Sequence, residues 1–198
     1  MLKYAIENFR NFGFRGIPLR LSAALNVYRE LGFYVCTKPE PMEAAIPLDF
    51  SIMRGDELAE YCALRPNLDR IDSEARLRRG GKCLLARHNG VIAGFGWAME
   101  QGDWIGFLSR EIPPRPDEIY IADTYTQPRF RGKGVSTALI SHCCRTYFDD
   151  GKKRAVAAIL PYNTASIRSF QKAGFRLEWR GGYAGIGTRR RSFDRPIS

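Results

Sequence analysis

Residues 118–136 read EIYIADTYTQPRFRGKGVS and combine a strand, a glycine loop and the start of a helix. The run Glu118–Thr126 is rich in β-branched and aromatic residues, which favour strands, and Pro128 ends it. From Gly134 to Phe148 apolar residues recur at helical spacing. Such a passage brings backbone N–H groups and the positive end of the helix dipole to one point, so it predicts an anion-binding site.

The composition of the loop favours phosphate as the anion. Gly132 and Gly134 let the backbone approach a phosphate without a Cβ in the way, while Arg131 and Lys133 add positive charge. The spacing is neither that of a P-loop nor the dinucleotide pattern G-x-G-x-x-G, so both common nucleotide folds are excluded. Taken alone, the two glycines are equally typical of an ordinary tight turn before a helix.

The rest of the pattern predicts an α+β chain, because a meander of strands precedes a β-loop-α-β-α order. Asn89-Gly90 between two apolar runs is typical of a hairpin joining strands 82–88 and 91–100. Further strands are predicted near Ile46–Met53 and over Arg154–Leu160, Phe175–Arg180 and Tyr183–Phe193. Further helices are predicted near Asp56–Arg65 and over Leu68–Arg79 and Thr164–Ala173.

Residues 1–45 are interpreted as an N-terminal extension that precedes a domain over residues 46–198. A helix is predicted over Leu19–Leu31, ended by Gly32, and the stretch Lys38-Pro39-Glu40-Pro41 behind it marks a boundary.

Composition narrows the functional classes for this chain of 198 residues. The formal charge of +10 favours an anionic partner without naming it. No stacking platform, helix-turn-helix or zinc-finger pattern accompanies the arginines, so nucleic-acid binding is not expected as the main function. Five cysteines without C-x-x-C spacing and two histidines predict free buried thiols and no metal site. The absence of a long apolar run or a leader-like N-terminus predicts a cytoplasmic protein without membrane contact.

Two motifs together resemble the GNAT superfamily of N-acetyltransferases. Thr126-x-Pro128-x-x-Arg131-Gly-x-Gly134-x-Ser136, followed by an apolar helix, resembles the CoA-pyrophosphate motif of the family. Asn163-Thr164-Ala165-Ser166 followed by Phe170-x-Lys172-x-Gly174-Phe175 resembles its second cofactor-facing helix and lies one strand later, at the usual place. The resemblance extends over about residues 46–193 and is best over 118–175.

The resemblance implies an α+β GNAT fold: a mixed, mainly antiparallel sheet of six to seven strands, with splayed fourth and fifth strands and helices on both faces. It implies acetyl-CoA as co-substrate, with the pantetheine arm in the gap between the splayed strands. Ser136 stands where glycine or alanine is usual, and its hydroxyl can add a donor. The implied cofactor-binding residues are Thr124, Tyr125, Thr126, Arg131, Gly132, Lys133, Gly134, Val135, Ser136, Thr137, Asn163, Ser166 and Phe170.

The catalytic residues are less well determined. Phe170 occupies the position of a tyrosine that protonates the departing thiolate in many relatives, which phenylalanine cannot do. A thiol of pKa near ~8.5 is a tolerable leaving group, so protonation by water or by Tyr162 is expected to suffice. Glu118 and Asp123 are the candidate bases for the amine, with a water relay as an equal alternative. A regular strand puts them on opposite faces, and a bulge changes this.

The implied reaction is direct attack of an amine on the thioester in a ternary complex. A small-molecule amine is the expected acceptor, with a protein amine or a catalytically degenerate CoA-binding member as alternatives. The basic surface favours an acidic or neutral acceptor, because like charges repel a polycation. The loop Pro113-Pro114-Arg115-Pro116 and the helix Leu68–Arg79 are expected to flank the acceptor cleft. Residues 1–45 are expected to cover this cleft or to pair with another subunit in a homodimer.

Overall fold

The computed structural model describes residues 22, 27–64, 70–186 and 189–197. Its central element is an eight-stranded sheet with a buried core on each face. Its strands, together with a separate hairpin formed by β5 and β6, are β1 (Tyr28–Cys36), β2 (Asp49–Ile52), β3 (Lys82–His88), β4 (Val91–Met99), β5 (Asp103–Ile105), β6 (Arg110–Ile112), β7 (Glu118–Thr126), β8 (Arg154–Ile159), β9 (Arg176–Ala184) and β10 (Arg191–Pro196). The helices are α1 (Leu58–Leu64), α2 (Arg70–Arg78), α3 (Val135–Asp149) and α4 (Thr164–Lys172).

Across the sheet the strands follow the order β10-β9-β1-β8-β7-β4-β3-β2. Neighbouring strands are antiparallel except β7 and β8, which run parallel. The predicted mixed, mainly antiparallel α+β fold is therefore confirmed. The expected six to seven strands become eight because β1, from the N-terminal segment, is inserted into the sheet.

Strand β1 corrects the interpretation of the N-terminal segment. The helix predicted over Leu19–Leu31 is wrong for residues 28–31, which begin the strand; residues 19–21 and 23–26 lie outside the described residues. Residues 31–36 are all buried, because their side chains alternate between the cores on the two faces of the sheet. A boundary near residue 45 stays a prediction, but the strand before it belongs to the same sheet as the rest of the chain.

The two faces of the sheet bury different sets of side chains. On one side, which we call the α3 face, Leu139 of α3 packs with Ile119 of β7. On the other side, the α1 face, Tyr120 belongs to a cluster with Tyr61 of α1 and Trp97 of β4. Because successive residues of a strand point to opposite faces, β7 contributes to both cores.

Residues 37–48, the crossing segment, carry the chain from β1 in the middle of the sheet to β2 at its edge. Ser141 of α3 is 1% exposed; its hydroxyl donates to the Glu40 carbonyl (2.5 Å) and accepts from the Met42 N–H (3.1 Å). At the start of α3 the Ala45 N–H donates to the Lys133 carbonyl, 2.8 Å away. The crossing segment therefore packs along α3 and reaches the glycine loop.

The last two strands differ from the prediction in the position of their turn. The predicted strands Phe175–Arg180 and Tyr183–Phe193 put the turn at Gly181-Gly182, but β9 runs through this pair to Ala184. A Cβ on Gly182 would collide with the carbonyl oxygen of Arg29. These glycines therefore serve close packing between strands.

The composition-based expectations concern thiols, membranes and metals. The five cysteines are free, as predicted, and four of them are buried. No helix in the described residues is long and apolar enough to span a membrane. Within the same part of the chain, no three His, Cys, Asp or Glu side chains are grouped as metal ligands.

Candidate acyl-donor and acceptor site

The glycine loop presents an uncapped helix N-terminus to solvent. Residues 131–134 are exposed, and Gly134, at φ +79°, provides no side-chain cap for α3. The N–H groups of the first turn, on residues 135–137, have no acceptor within the helix. These groups and the helix dipole form a site for phosphate oxygens.

The two glycines of the loop have different surroundings. At Gly132, φ is +77° and a Cβ would meet nothing within 4 Å, so this side of the loop is open to a ligand. At Gly134 a Cβ would lie 3.4 Å from the Ala44 Cα and 3.4 Å from the Glu43 carbonyl oxygen. Gly132 thus has the open approach predicted for both residues, whereas Gly134 faces the crossing segment.

The side chains of the loop are mostly free to turn toward an anion. Arg131 Nε donates to the Thr126 carbonyl at 3.4 Å, and the Lys133 ammonium lies 5.8 Å from the centre of the Phe130 ring. In the first turn of α3, Ser136 is half-buried, whereas Val135 and Thr137 are 1% and 6% exposed. Val135 and Thr137 can therefore bind a phosphate through their backbone N–H groups.

Strands β7 and β8 part next to this loop. Their parallel ladder ends at the pair Tyr120–Val156, although β7 continues to Thr126 and β8 to Ile159. The predicted splay is therefore confirmed. Beyond the last pair, the facing edges of the two strands do not pair with each other, and backbone groups there can bond to an extended ligand.

Thr126 has an unsatisfied polar atom at the end of β7. Its Oγ1 is buried and has no hydrogen-bond partner in the described part of the chain. A buried hydroxyl without a partner costs roughly 1–3 kcal/mol. The open strand edges, the uncapped helix and this hydroxyl all fit an amide- and phosphate-bearing arm such as that of CoA.

A β-bulge at Asp123 settles the orientation that the sequence left open. Asp123 and Thr124 together oppose Gly96 of β4, and φ of Asp123 is +45°. Beyond the bulge, Tyr125 packs against Phe95 of the α1-face core, with ring centres 5.3 Å apart. The bulge therefore reverses the alternation of side chains in the last residues of β7.

Asp123 is engaged by a helix on the α1 face. Its Oδ2 lies 3.3 Å from Arg76 Nη1 of α2, and Arg76 also contacts Asp103 at 2.9 Å. The arginine thus bridges two carboxylates. Asp103 has only 8% of its side chain exposed and Asp123 22%, so this network ties the bulge to α2.

The second predicted motif lies at the start of α4 and in its core-facing turn. Asn163 is the N-cap, and its Oδ1 accepts from the Ser166 N–H at 3.2 Å. Phe170 is 3% exposed and meets Phe175 edge-on. Ser166 and Tyr162 are half-buried. The roles of these four predicted site residues toward CoA or the proton stay predictions.

A cleft of about 300 Å³ opens on the α1 face where β7 and β8 begin to part. Its walls come from the loop 112–115 and from Glu118, Tyr120, Arg154 and Trp179. The proline-containing loop therefore flanks this cleft, and its place beside the acceptor stays a prediction. Of the predicted pair of flanking elements, α2 does not contribute to the walls in the described residues.

Glu118 is a fixed carboxylate in the wall of this cleft. Its side chain is 8% exposed; Oε1 accepts from Arg154 Nε at 2.6 Å and Oε2 from the Arg115 N–H at 2.9 Å. Arg154 also donates to Glu178 at 3.1 Å. Glu118 and Asp123 thus lie in separate networks.

Two residues of this cleft were missed by the sequence prediction. Burial raises the pKa of Tyr120, so the phenol keeps its proton at neutral pH. Position 120 shares a face with Glu118, a signal that alternation alone could have given. Glu178 is the extra residue of a bulge between β1 and β9, and such a bulge has no sequence signature here.

Residues 50–175 match the model of the acetyltransferase (GNAT) family. This match spans well over half of the chain. The chain belongs to the GNAT family. Its solved relatives include a putative GNAT acetyltransferase from Novosphingobium aromaticivorans, with TM-score 0.57 at 18% identity over 77% of this chain and 61% of that chain. A GCN5-related N-acetyltransferase from Sphaerobacter thermophilus gives TM-score 0.58 at 17% identity, over 91% of this chain and 57% of that one. At these identities the likeness shows the fold alone.

Two further relatives have named activities. The chain is 31% identical over 102 residues to the L-amino acid N-acyltransferase MnaT of Escherichia coli K12, a match that covers 52% of this chain and 54% of MnaT. This GNAT chain thus spans about half the length of that curated relative. The aminoglycoside N-acetyltransferase AAC(6')-Iy in complex with CoA aligns at 25% identity and TM-score 0.51, over 72% of this chain and 99% of that one.

Family membership decides the broader predictions. It confirms the resemblance and the GNAT fold class. The matched family is one of acetyltransferases; for this chain the activity and acetyl-CoA as co-substrate are proposals, because the match covers only 54% of MnaT. The acceptor and the roles of individual residues are proposals as well.

Proposed function

We propose that this GNAT chain transfers an acetyl group from acetyl-CoA to a primary amine of a small molecule, by direct attack in a ternary complex. The observation that carries the proposal is the junction of three features: an uncapped helix N-terminus, parted strands beside it and a cleft at the base of the gap. Such a junction can hold a long anionic donor at one end and a small acceptor at the other.

The donor is held mainly by backbone groups. The first-turn N–H groups of α3 and the open side of Gly132 bind the pyrophosphate, with Arg131 and Lys133 contributing charge. The edges of β7 over residues 124–126 and of β8 over residues 157–159 bond to the pantetheine amides. Thr126 Oγ1 gains a partner there. Asn163, Ser166 and Phe170 lie at the second cofactor-facing helix.

Acetyl-CoA supplies an activated acetyl thioester. The chain contributes by holding this group next to the amine, since well-oriented reactants gain effective molarities of roughly 10⁵ M or more. Tyr120 is placed to donate a hydrogen bond to the oxygen or sulfur that gains negative charge, because its buried hydroxyl keeps its proton at neutral pH. This phenol takes over the task that Phe170 cannot perform, with Tyr162 as the alternative.

The amine proton goes to Glu118, directly or through one water. Glu118 lines the cleft, whereas Asp123 is held toward α2 by Arg76. An amine of pKa near 10 is mostly protonated at neutral pH, so a base within reach is needed before attack. Asp123 remains the second candidate base, and a relay through water alone is the third route.

A small acceptor is supported by the size of the cleft and by the relatives. A volume of about 300 Å³ lies at the small end of ligand sites. MnaT is named for L-amino acids and AAC(6')-Iy for aminoglycosides, both small amine compounds. A protein amine and a chain that only binds CoA are the alternatives.

Two measurements test the proposal. Saturating acetyl-CoA should raise the melting temperature through preferential binding to the folded state, by an amount equivalent to about 2.7 kcal/mol at a hundredfold excess over Kd. Free CoA thiol should then appear with small amines. No thermal shift with any acyl-CoA contradicts the donor assignment; thiol release with peptides alone favours a protein acceptor; a shift without release favours a CoA-binding protein.

A further inference from the structure

The acceptor cleft continues past Trp179 into a second depression. This neighbouring cavity of about 240 Å³ is bordered by Phe33, Arg110 and Asp194. It shares Ile112, Pro113 and Trp179 with the first cleft. The two cavities therefore form one groove on the α1 face, with the indole of Trp179 in its floor.

Trp179 is held rigidly from one side. Its ring stacks on that of Phe33 with centres 4.7 Å apart and planes 2° apart, and the two residues are cross-strand partners in β9 and β1. Phe33 is fully buried, so it cannot leave the stack. An indole fixed in this way offers a flat apolar surface that loses little side-chain entropy when a ligand binds.

An ion pair or ion-pair network lies at each end of the groove. At the first end Arg154 is shared by Glu118 and Glu178. At the second end Arg110 binds Asp194 through two hydrogen bonds of 2.7 and 3.0 Å.

The second pair lies directly on the backbone of β9. A Cβ at position 181 would collide with Asp194 and would lie 2.6 Å from Arg110 Nη2. The absence of a side chain at Gly181 therefore leaves room for the Arg110–Asp194 ion pair. The two cavities share Ile112, Pro113 and Trp179, and Glu111 also lines the second cavity.

These features differ in the group that they can bind. The first end has carboxylates and a phenol beside the strand gap, so it suits the amine that is acetylated. The residues that the two cavities share give an apolar surface, so this part suits a ring, and the Glu111 carboxylate that also lines the second cavity is compatible with a cationic amine. Glu178, with 42% of its side chain exposed, can attract an ammonium group to the entrance.

We propose that the acceptor is a primary amine carrying an aromatic ring, which stacks on Trp179 while the amine lies at the Glu118 and Tyr120 end of the groove. This inference rests on the proposed function, because it names the class of acceptor for the same cleft. Trp179 is then a specificity-determining residue and not a catalytic one.

Binding to the CoA-saturated protein tests the inference without turnover. Calorimetry would compare 2-phenylethylamine with 2-cyclohexylethylamine, which has similar apolar bulk but no flat ring. We expect the phenyl compound to bind about tenfold more tightly, near the upper limit for an aromatic pair. Trp179→Leu should remove this difference and retain the cyclohexyl affinity. Trp104→Leu, which alters an exposed tryptophan outside both cavities, should keep it.

Equal affinities for the two amines, no binding of either, or an unchanged preference in Trp179→Leu would overturn the inference. A thermal unfolding scan checks that this variant is folded, and Trp179→Phe, which keeps a flat ring, should keep most of the preference. If acetyl-CoA raises the melting temperature and aliphatic amines release thiol while no ring preference is seen, the proposed function stands and only the inference fails.

Discussion

Tyr120 and Val156 form the last pair of the parallel ladder between β7 and β8. Both side chains line the cleft on the α1 face, while the strand edges beyond them face the gap. The point at which the sheet opens is therefore also part of the lining of this cleft, the proposed acceptor site. A phenol at this point can contact groups that arrive from either side.

Replacing this phenol tests whether it assists the departing group. Tyr120→Phe should lower kcat by about 10²-fold, the lower end of the range for positioned proton donors, and leave the KM for acetyl-CoA unchanged. The ring still fills its place among Trp97 and Tyr61, so the fold is expected to persist. Steady-state kinetics with one saturating amine measures both constants.

The companion substitution is Tyr162→Phe, which removes the other candidate hydroxyl. We expect it to reduce kcat less than threefold; the reverse ranking would assign the role to Tyr162. The pH dependence gives a second check. Because burial raises the pKa of Tyr120, its proton is present at all pH values below the ordinary value near 10. The parent should therefore show no loss of kcat from this group between pH 7 and 9.

The two carboxylates of β7 should separate by their pH profiles. Glu118→Gln is expected to lower kcat/KM by about 10²-fold or more and to remove the limb of the profile that a base produces. Asp123→Asn loses a contact with Arg76 and should keep that limb. Rates across pH 6–10 decide between them. Parent-like profiles in both variants would instead favour the water relay.

The part of the fold that local chemistry dictates was predicted well. The run from Glu118 to Thr126 is a strand with those bounds, and the loop passes into α3 one residue after Gly134. Asn89 and Gly90 form the hairpin turn, with φ of +49° and +77°. Strand propensity, positive φ and helical spacing all act within a few residues, so one sequence reveals them.

The errors of the sequence prediction concern residues whose contacts lie far away in the sequence. Residues 31–36 form a continuous apolar run because β1 is covered on both sides, and such a run carries no period. Gly182 was interpreted as part of a turn, but it makes room for the Arg29 carbonyl on β1. The partner of Glu118, Arg154, lies on the neighbouring strand. No local sequence pattern at either residue predicts this ion pair.

The glycine loop allows a test with a closely matched control. Gly132 and Gly151 both have positive φ, and a Cβ on either would meet nothing within 4 Å. Alanine at either position should therefore cost a similar amount, about 1–2 kcal/mol of backbone strain. Only Gly132→Ala puts a methyl group where the pyrophosphate is proposed to approach. We expect its Kd for CoA, measured by calorimetry, to rise at least tenfold, with Gly151→Ala unchanged; equal Kd values in the two variants would argue against the loop as the phosphate site.

Removing the hydroxyl from two buried tyrosines on opposite faces of the sheet should change the free energy of unfolding in opposite directions. The Tyr147 hydroxyl is buried without a partner in the described residues, so Tyr147→Phe should leave the free energy of unfolding unchanged or raise it by up to about 1 kcal/mol. Tyr61 accepts a hydrogen bond of 3.0 Å from the indole of Trp97, which is fully buried. Tyr61→Phe leaves that donor unpaired and should cost about 1–3 kcal/mol in urea unfolding.

The deficit of Tyr61→Phe should shrink at alkaline pH. Burial, the largest cause, raises the pKa of Tyr61 from 10.0 to about 12. The unfolded chain then loses this proton first, so the stability linked to the phenol is complete below pH 10 and is lost as the pH rises toward 12. Phenylalanine has no such proton, and the variant is spared this loss. Urea unfolding at pH 8 and at pH 11 should therefore give a smaller difference between parent and variant at the higher pH, whereas a constant difference would mean that the phenol ionises equally in both states.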